Sequence, residues 1–236
     1  MPESIRMWFE IIFTLSYLII LWMIVFAMKK RMGEVQAGDE KVARLFALAF
    51  GLLAFGDSFH ILGRVAAYAL GGLDVHPEIF GAPLGIVGIG SFATSVTLTF
   101  FYALMLPIWK ERFGKEYNWF SYFLFAMGAI RLVILFMPGN DWQNTSPYNW
   151  AIYRNIPFWI QGLGAAFLFW RDGRKEGRKL YVTLAWLFLL SFSFYTPVVL
   201  YARTIPLLGM LMLPKTLVYG IVAYVVYKDM FVKRIA

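Results

Sequence analysis

Seven stretches of apolar residues, separated by short polar segments, make up most of the chain. A helix needs about 20 mainly apolar residues to cross a bilayer, because each residue rises about 1.5 Å through a core about 30 Å thick. The pattern therefore predicts an all-α integral membrane protein with seven transmembrane helices, forming one domain over residues 1–236. The predicted spans are residues 8–28, 43–69, 83–108, 119–137, 150–170, 180–202 and 205–227.

Basic residues are distributed unevenly among the connections between these helices. Cytoplasmic loops of membrane proteins carry an excess of Lys and Arg. The sequence therefore predicts an N-terminus outside the cell and a C-terminus inside, in the plasma (cytoplasmic) membrane. The first, third and fifth connections and the C-terminal segment hold most of the 22 basic residues, namely Lys29, Lys30, Arg31, Lys41, Arg44, Lys110, Arg112, Lys115, Arg171, Arg174, Lys175, Arg178, Lys179, Lys228, Lys233 and Arg234.

The composition excludes several classes of function. The chain has no cysteine and only two histidines, so disulfides and thiolate metal sites are excluded, and neither a metal nor a cofactor is expected. The net charge of +8 comes from short basic runs that the predicted orientation explains. We therefore predict no nucleic-acid binding, and expect membrane lipid and a small ligand as partners.

The first three and last three predicted helices share a spacing of aromatic, basic and proline residues. The aligned positions are Trp8 to Lys29 with Trp150 to Arg171, Arg64 with Arg203, and Pro83-Leu84 with Pro206-Leu207. They indicate parallel repeats over 8–108 and 150–234, linked by the span 119–137, with a ligand site between the halves. In span number, orientation and repeat arrangement the chain resembles the SWEET sugar transporters, although the Pro-Gln signature of that family is missing.

Ionisable residues interrupt the apolar stretches. A charged side chain in the middle of a bilayer costs about 2.5 kcal/mol or more, so it indicates either function or a charged partner. Asp57, His60 and Arg64 follow an i, i+3, i+7 spacing and share one helical face. Lys215 follows Pro214, which is expected to remove a backbone hydrogen bond and to open the last helix locally. With Arg131 and Arg154, these groups are predicted to occupy the outer half of the bilayer.

The cations in this set outnumber the carboxylates. Arg131 with Asp57 could form a simple ion pair between helices, but Glu10 and Asp57 together leave two of the four cations uncompensated. We therefore expect an outward-facing cationic cavity that binds a small anionic or amphiphilic ligand, in a transporter or a sensor. The residues expected to bind the ligand are Arg64, Arg131, Arg154, Asn155, Lys215 and Tyr219.

Other functions stay open at this stage. One is an intramembrane enzyme acting on a lipid or isoprenoid head group, with Asp57 and His60 as an acid–base pair. Another is a purely structural or assembly subunit. A third follows from Lys215, because a lysine in the last of seven helices resembles the retinal-binding lysine of microbial rhodopsins. That resemblance implies a chromophore on Lys215, although Leu211 stands where the family has an acid and the third helix offers no carboxylate counterion.

Overall fold

The computed structural model describes residues 3–79, 81–144 and 146–232, and seven α-helices account for most of them. A short antiparallel hairpin, β1 (Glu78–Ile79) with β2 (Ala82–Pro83), lies between α2 and α3. Lys233 and Arg234, which contributed to the predicted orientation and to the second repeat, lie outside the described residues. The helices are α1 (Glu3–Lys30), α2 (Glu40–Ala69), α3 (Ile86–Phe113), α4 (Trp119–Leu135), α5 (Tyr148–Lys175), α6 (Lys179–Tyr201) and α7 (Met212–Met230).

Five stretches of helix are long and apolar enough to cross a membrane, and they lie in α1, α2, α3 and α6 and in α7 with the turn before it. The predicted helical class is confirmed, and these helices are compatible with a membrane protein. Helix α4 is apolar but has only 17 residues. Helix α5 carries polar residues that are buried inside the bundle, among them Asn155 and Gln161. Seven crossings, the orientation and the internal repeat therefore stay predictions.

The helices pack in the order of the chain. Each one contacts the next, and α7 closes the ring by packing against α1. Helix α5 also reaches α3, which explains why its polar residues are enclosed by protein. This closed ring brings the N-terminal ends of α1, α3, α5 and α7 to the same end of the bundle as the C-terminal ends of α2, α4 and α6.

Glycines allow α2 and α3 to approach each other closely. A Cβ atom on Gly90 would lie 2.6 Å from the carbonyl oxygen of Phe59 and 2.8 Å from the Cα of His60. Gly56 of α2 faces Thr97 of α3 in the same way, and a Cβ there would lie 3.0 Å from the Cα of Thr94. This contact sets the positions of Asp57 and His60 relative to the polar face of α3.

Aromatic side chains fill the middle of the bundle. Neighbouring rings in this aromatic layer have centroids 5.2–6.0 Å apart, mostly in edge-to-face geometry. Dense edge-to-face packing of this kind contributes stability beyond the burial of area and leaves little free space. The layer consists of Phe50, Phe101, Tyr102, Phe158 and Phe188, which are all fully buried.

The last helix begins later in the chain than predicted. Residues Pro206–Leu211 form a 3-10 helix, and α7 starts at Met212. Pro214 thus lies in the first turn of α7, where the backbone N–H groups have no partner within the helix. The expected opening at Pro214 is therefore wrong, and the change of helical geometry comes at Leu211 and Met212 instead.

A cationic cavity as the candidate functional site

A cavity of about 460 Å³ lies at the end of the bundle that carries the N-terminus, and all seven helices contribute to it. It brings together the six ionisable groups that interrupt the apolar stretches of the sequence. Five cations face two carboxylates, which leaves a formal excess of three positive charges. The ionisable lining residues are Arg6, Glu10, Asp57, His60, Arg64, Arg131, Arg154 and Lys215.

One cation of the cavity is neutralised locally. Arg64 forms an ion pair with Glu10 across α1 and α2, with Nη2 and Oε1 2.5 Å apart. The hydroxyl of Tyr68 donates to the other carboxylate oxygen of Glu10 at 3.0 Å. Arg64 lines the cavity as expected, but its charge is already balanced, so it adds little attraction for an anion.

Asp57 is held by hydroxyl groups from two neighbouring helices. Tyr17 of α1 donates to Oδ2 at 2.8 Å, and Thr94 of α3 donates to Oδ1 at 2.8 Å. The carboxylate forms no ion pair with a residue that the structure describes, so the expected pair with Arg131 is absent there. Asp57 thus ties three helices together and keeps its remaining lone pairs for the cavity.

His60 lines the cavity but is not joined to Asp57. Its Nδ1 lies 3.3 Å from the hydroxyl oxygen of Ser91 on α3. A general base is normally oriented by a hydrogen bond to a second group. Because no hydrogen bond links the two side chains, the acid–base pair of the enzyme hypothesis is not assembled in this structure.

Arg131 is the most deeply buried cation of the site, with 2% of its surface exposed. One guanidinium nitrogen donates to Oγ1 of Thr99 at 3.0 Å, and the guanidinium carbon lies 3.7 Å from the ring centroid of Phe158. Its Nε is buried without a hydrogen-bond partner. No described carboxylate forms an ion pair with Arg131, although a buried guanidinium is normally paired.

Lys215 is enclosed by aromatic rings. Its side chain is 8% exposed, and Nζ lies 4.6 Å from the ring centroid of Tyr195 and 5.6 Å from that of Tyr219. It interacts electrostatically with Asp57 and Arg131, but forms no ion pair within the described part of the chain. Cation–π contacts offset only part of the cost of burying an ammonium group.

The two tyrosine rings around Lys215 are fixed by their hydroxyl groups. Tyr219 is hydrogen-bonded to Tyr102 at 2.9 Å, and Tyr195 donates to Oδ1 of Asn155 at 2.8 Å. Asn155 lies behind Tyr195 and outside the cavity lining, unlike the other five residues that were expected to bind the ligand. We interpret it as a residue that positions Tyr195, whereas Tyr219 lines the cavity as expected.

Arg154 occupies the mouth of the cavity. Its guanidinium donates to Oδ1 of Asn140 at 3.1 Å and to the hydroxyl of Ser146 at 2.6 Å. It also lies over the ring of Trp142, 4.6 Å from the centroid. Arg154 is therefore partly engaged in holding the segment between α4 and α5, while Arg131 and Lys215 keep most of their donors available.

The hydroxyl groups that complete the site were not assigned from the sequence as partners of the ionisable and amide side chains. Tyr17, Thr94, Thr99 and Tyr195 each lie in an apolar helix and each contacts an ionisable or amide side chain. A phenol or hydroxyl in such a helix needs a hydrogen-bond partner, so its presence in an apolar helix was the sequence signal for these contacts.

Residues 3–79, 81–144 and 146–232 contain no group of three His, Asp or Glu residues that could hold a metal ion.

Comparison with protein-family models, with curated proteins and with solved structures finds no match for this chain.

Proposed function

We propose that the protein is a seven-span membrane protein whose cavity binds a small anionic or amphiphilic ligand from outside the cell. The observation that carries this proposal is the pair of buried cations, Arg131 and Lys215. Neither forms an ion pair with a described carboxylate, although both lie below the mouth of a cavity. An anion bound there would accept hydrogen bonds from both groups and offset the cost of burying their charges.

The size of the cavity fits an organic ligand. Small-molecule sites typically enclose about 300–1,000 Å³ and combine an apolar lining with a few convergent polar groups. The cavity of about 460 Å³ falls within this range, and leucine, methionine and aromatic side chains lie between its charged groups. A purely structural or assembly subunit would need no such cavity, so a binding role is favoured over that alternative.

A sensor is favoured over a transporter by the aromatic layer beneath the cavity. The layer is fully buried, and Leu53, Leu98 and Tyr219 are the lining residues that lie next to it. We propose that the ligand enters from the end with the N-terminus, where the mouth of the cavity lies. A ligand can enter and leave there without any change in the packed half of the bundle, which is sufficient for sensing.

Anion binding is expected to stabilise the purified protein against heat. Benzoate should raise the melting temperature in a saturable manner, whereas benzylamine, which has a similar ring and the opposite charge, should not. At about 100 times the dissociation constant, the stabilisation would be about 2.7 kcal/mol. Sodium chloride at matched ionic strength is the control. If neither benzoate, phosphate nor citrate gives more stabilisation than chloride, the cavity does not bind anions in this way.

The orientation requires its own test, because the cavity must face the ligand. The chain lacks cysteine, so single cysteines can be introduced without a background. A cysteine within residues 139–144 should react with an impermeant maleimide on intact cells, and one within 171–177 should react only after permeabilisation. The cysteine-free parent is the control. The opposite labelling pattern would place the cavity on the cytoplasmic side.

A further inference from the structure

We infer that the ligand is a monocarboxylate that carries a neutral hydrogen-bond donor next to the carboxylate and an apolar body of about the size of a phenyl ring. This inference rests on the proposed function, which requires only that the cavity binds an anion. It follows from three features of the cavity: its charge balance, the direction of its hydrogen bonds and its apolar lining.

The charge balance of the deep part of the cavity favours a single negative charge. Arg131 and Lys215 carry two positive charges there, and Asp57 carries one negative charge. The pair of Glu10 and Arg64 is neutral by itself. A monoanion therefore neutralises the deep groups. A zwitterion would leave one positive charge uncompensated, and a dianion would leave one negative charge, in a region of low dielectric constant.

The serine and threonine hydroxyls of α3 that line the cavity donate their protons within the protein and therefore present acceptors to the cavity. Ser91 donates its hydroxyl proton to the carbonyl of Val87 at 2.9 Å, and Ser95 donates to the carbonyl of Ser91 at 2.7 Å. Thr94 donates to Asp57. His60 faces one lone pair of Ser91, and the remaining lone pairs of these oxygens and of the Asp57 carboxylate stay available. This side of the cavity therefore suits a donor on the ligand.

Donors come from other helices of the ring. Arg131 of α4 and Lys215 of α7 present N–H groups that have few or no partners among the described residues. A carboxylate matches these donors, and a hydroxyl or amide N–H next to it matches the acceptors of α2 and α3. A ligand without the carboxylate would leave the buried cations Arg131 and Lys215 without a carboxylate partner, and one without the donor would gain fewer hydrogen bonds.

Apolar side chains line the space between the deep polar groups and the mouth. They come from α1, α2, the turn after α2, the 3-10 helix and α7, and they include Phe9, Ile61, Leu73, Met210 and Leu213. A carboxylate with its neighbouring donor fills only a small part of about 460 Å³. Methionine adapts to ligand shape, and the remaining volume would hold an apolar group without polar atoms.

A series of compounds with closely related skeletons tests each feature separately. Binding to the purified full-length protein is measured by isothermal titration calorimetry for 3-phenyllactate, 3-phenylpropionate, phenylalanine and lactate. We expect 3-phenyllactate to bind best, at least about tenfold tighter than 3-phenylpropionate, because its hydroxyl gains a hydrogen bond to a charged acceptor. Phenylalanine should bind more weakly because of its additional charge, and lactate because it lacks the apolar body.

Variants then locate the donor contact. Asp57→Asn should reduce the preference for 3-phenyllactate over 3-phenylpropionate, whereas Arg203→Met, outside the cavity lining, should keep it. Ser95→Ala is a second variant, should Asp57→Asn not fold. Equal affinities of the two acids in the wild type, or tightest binding of phenylalanine, would overturn the inference and leave the proposed function standing. If no compound in the series, nor benzoate, phosphate or citrate, binds, both fail.

Discussion

Lys215→Met is expected to weaken benzoate binding by about 100-fold while leaving the ligand-free protein as stable as the wild type. Truncating one partner of a buried charge contact costs about 2–5 kcal/mol in affinity. No described carboxylate forms an ion pair with Lys215, and Asp57 keeps its hydrogen bonds to Tyr17 and Thr94 in the variant. Methionine has a similar length and fills the space between Tyr195 and Tyr219 without the cost of burying an ammonium group.

Calorimetry and thermal melts of the purified protein check this expectation, and Arg131→Met should behave in the same way if it shares the site. Arg203→Met is the matched control, because Arg203 is an exposed cation at the same end of the bundle and outside the cavity lining. A marked fall in melting temperature of ligand-free Lys215→Met, with benzoate affinity retained, would assign Lys215 a structural role.

Gly90→Ala is expected to destabilise the protein by about 1–3 kcal/mol, the usual cost of overpacking. The new methyl group would press on backbone atoms of α2, the Phe59 carbonyl and the His60 Cα, which cannot rotate away. The two helices would have to separate, and the hydrogen bond from Thr94 to Asp57 would lengthen. Ligand affinity should therefore fall even in the fraction that stays folded.

Gly51→Ala is the control for this variant, because Gly51 also lies in α2 and a Cβ there would meet only Cγ1 of Val25 at 4.0 Å. Since alanine favours a helix over glycine by about 1 kcal/mol, this change should be neutral or slightly stabilising. Melting temperatures in the same detergent compare the two variants. Equal values would show that the close contact between α2 and α3 does not limit stability.

The positions of the helices were largely predictable from the sequence, because the length of an apolar stretch indicates directly whether it can form a membrane-spanning helix. The predicted span 119–137 corresponds to α4, and the span 180–202 to α6, within two residues at each end. The ionisable groups were predicted to lie at a common depth, but depth alone does not fix whether a residue faces the interior of the ring or the lipid. The start of α7 was not predictable, because a 3-10 turn and an α-helix have the same apolar composition.

The orientation of individual side chains was beyond the sequence. Arg154 and Asn155 were both expected at the ligand, but successive residues on a helix point about 100° apart, and the sequence does not fix which of them faces the cavity. Arg154 lines the cavity and Asn155 turns toward Tyr195. Asp57 is a second example. Its partner Tyr17 lies 40 residues away on another helix, and the sequence does not give the rotation of that helix about its own axis. The rotation of each helix about its axis is fixed by packing against its neighbours, and the sequence of one helix alone does not determine it.

The aromatic layer has a consequence for the kinetics of binding. Because Phe50, Phe101 and Phe188 are fully buried and closely packed below the cavity, we expect a ligand to leave through the passage by which it entered. Narrowing this passage, without changing a residue that contacts the bound ligand, would raise one barrier that entry and exit share. Association and dissociation rate constants would then fall by the same factor, and the dissociation constant would stay unchanged.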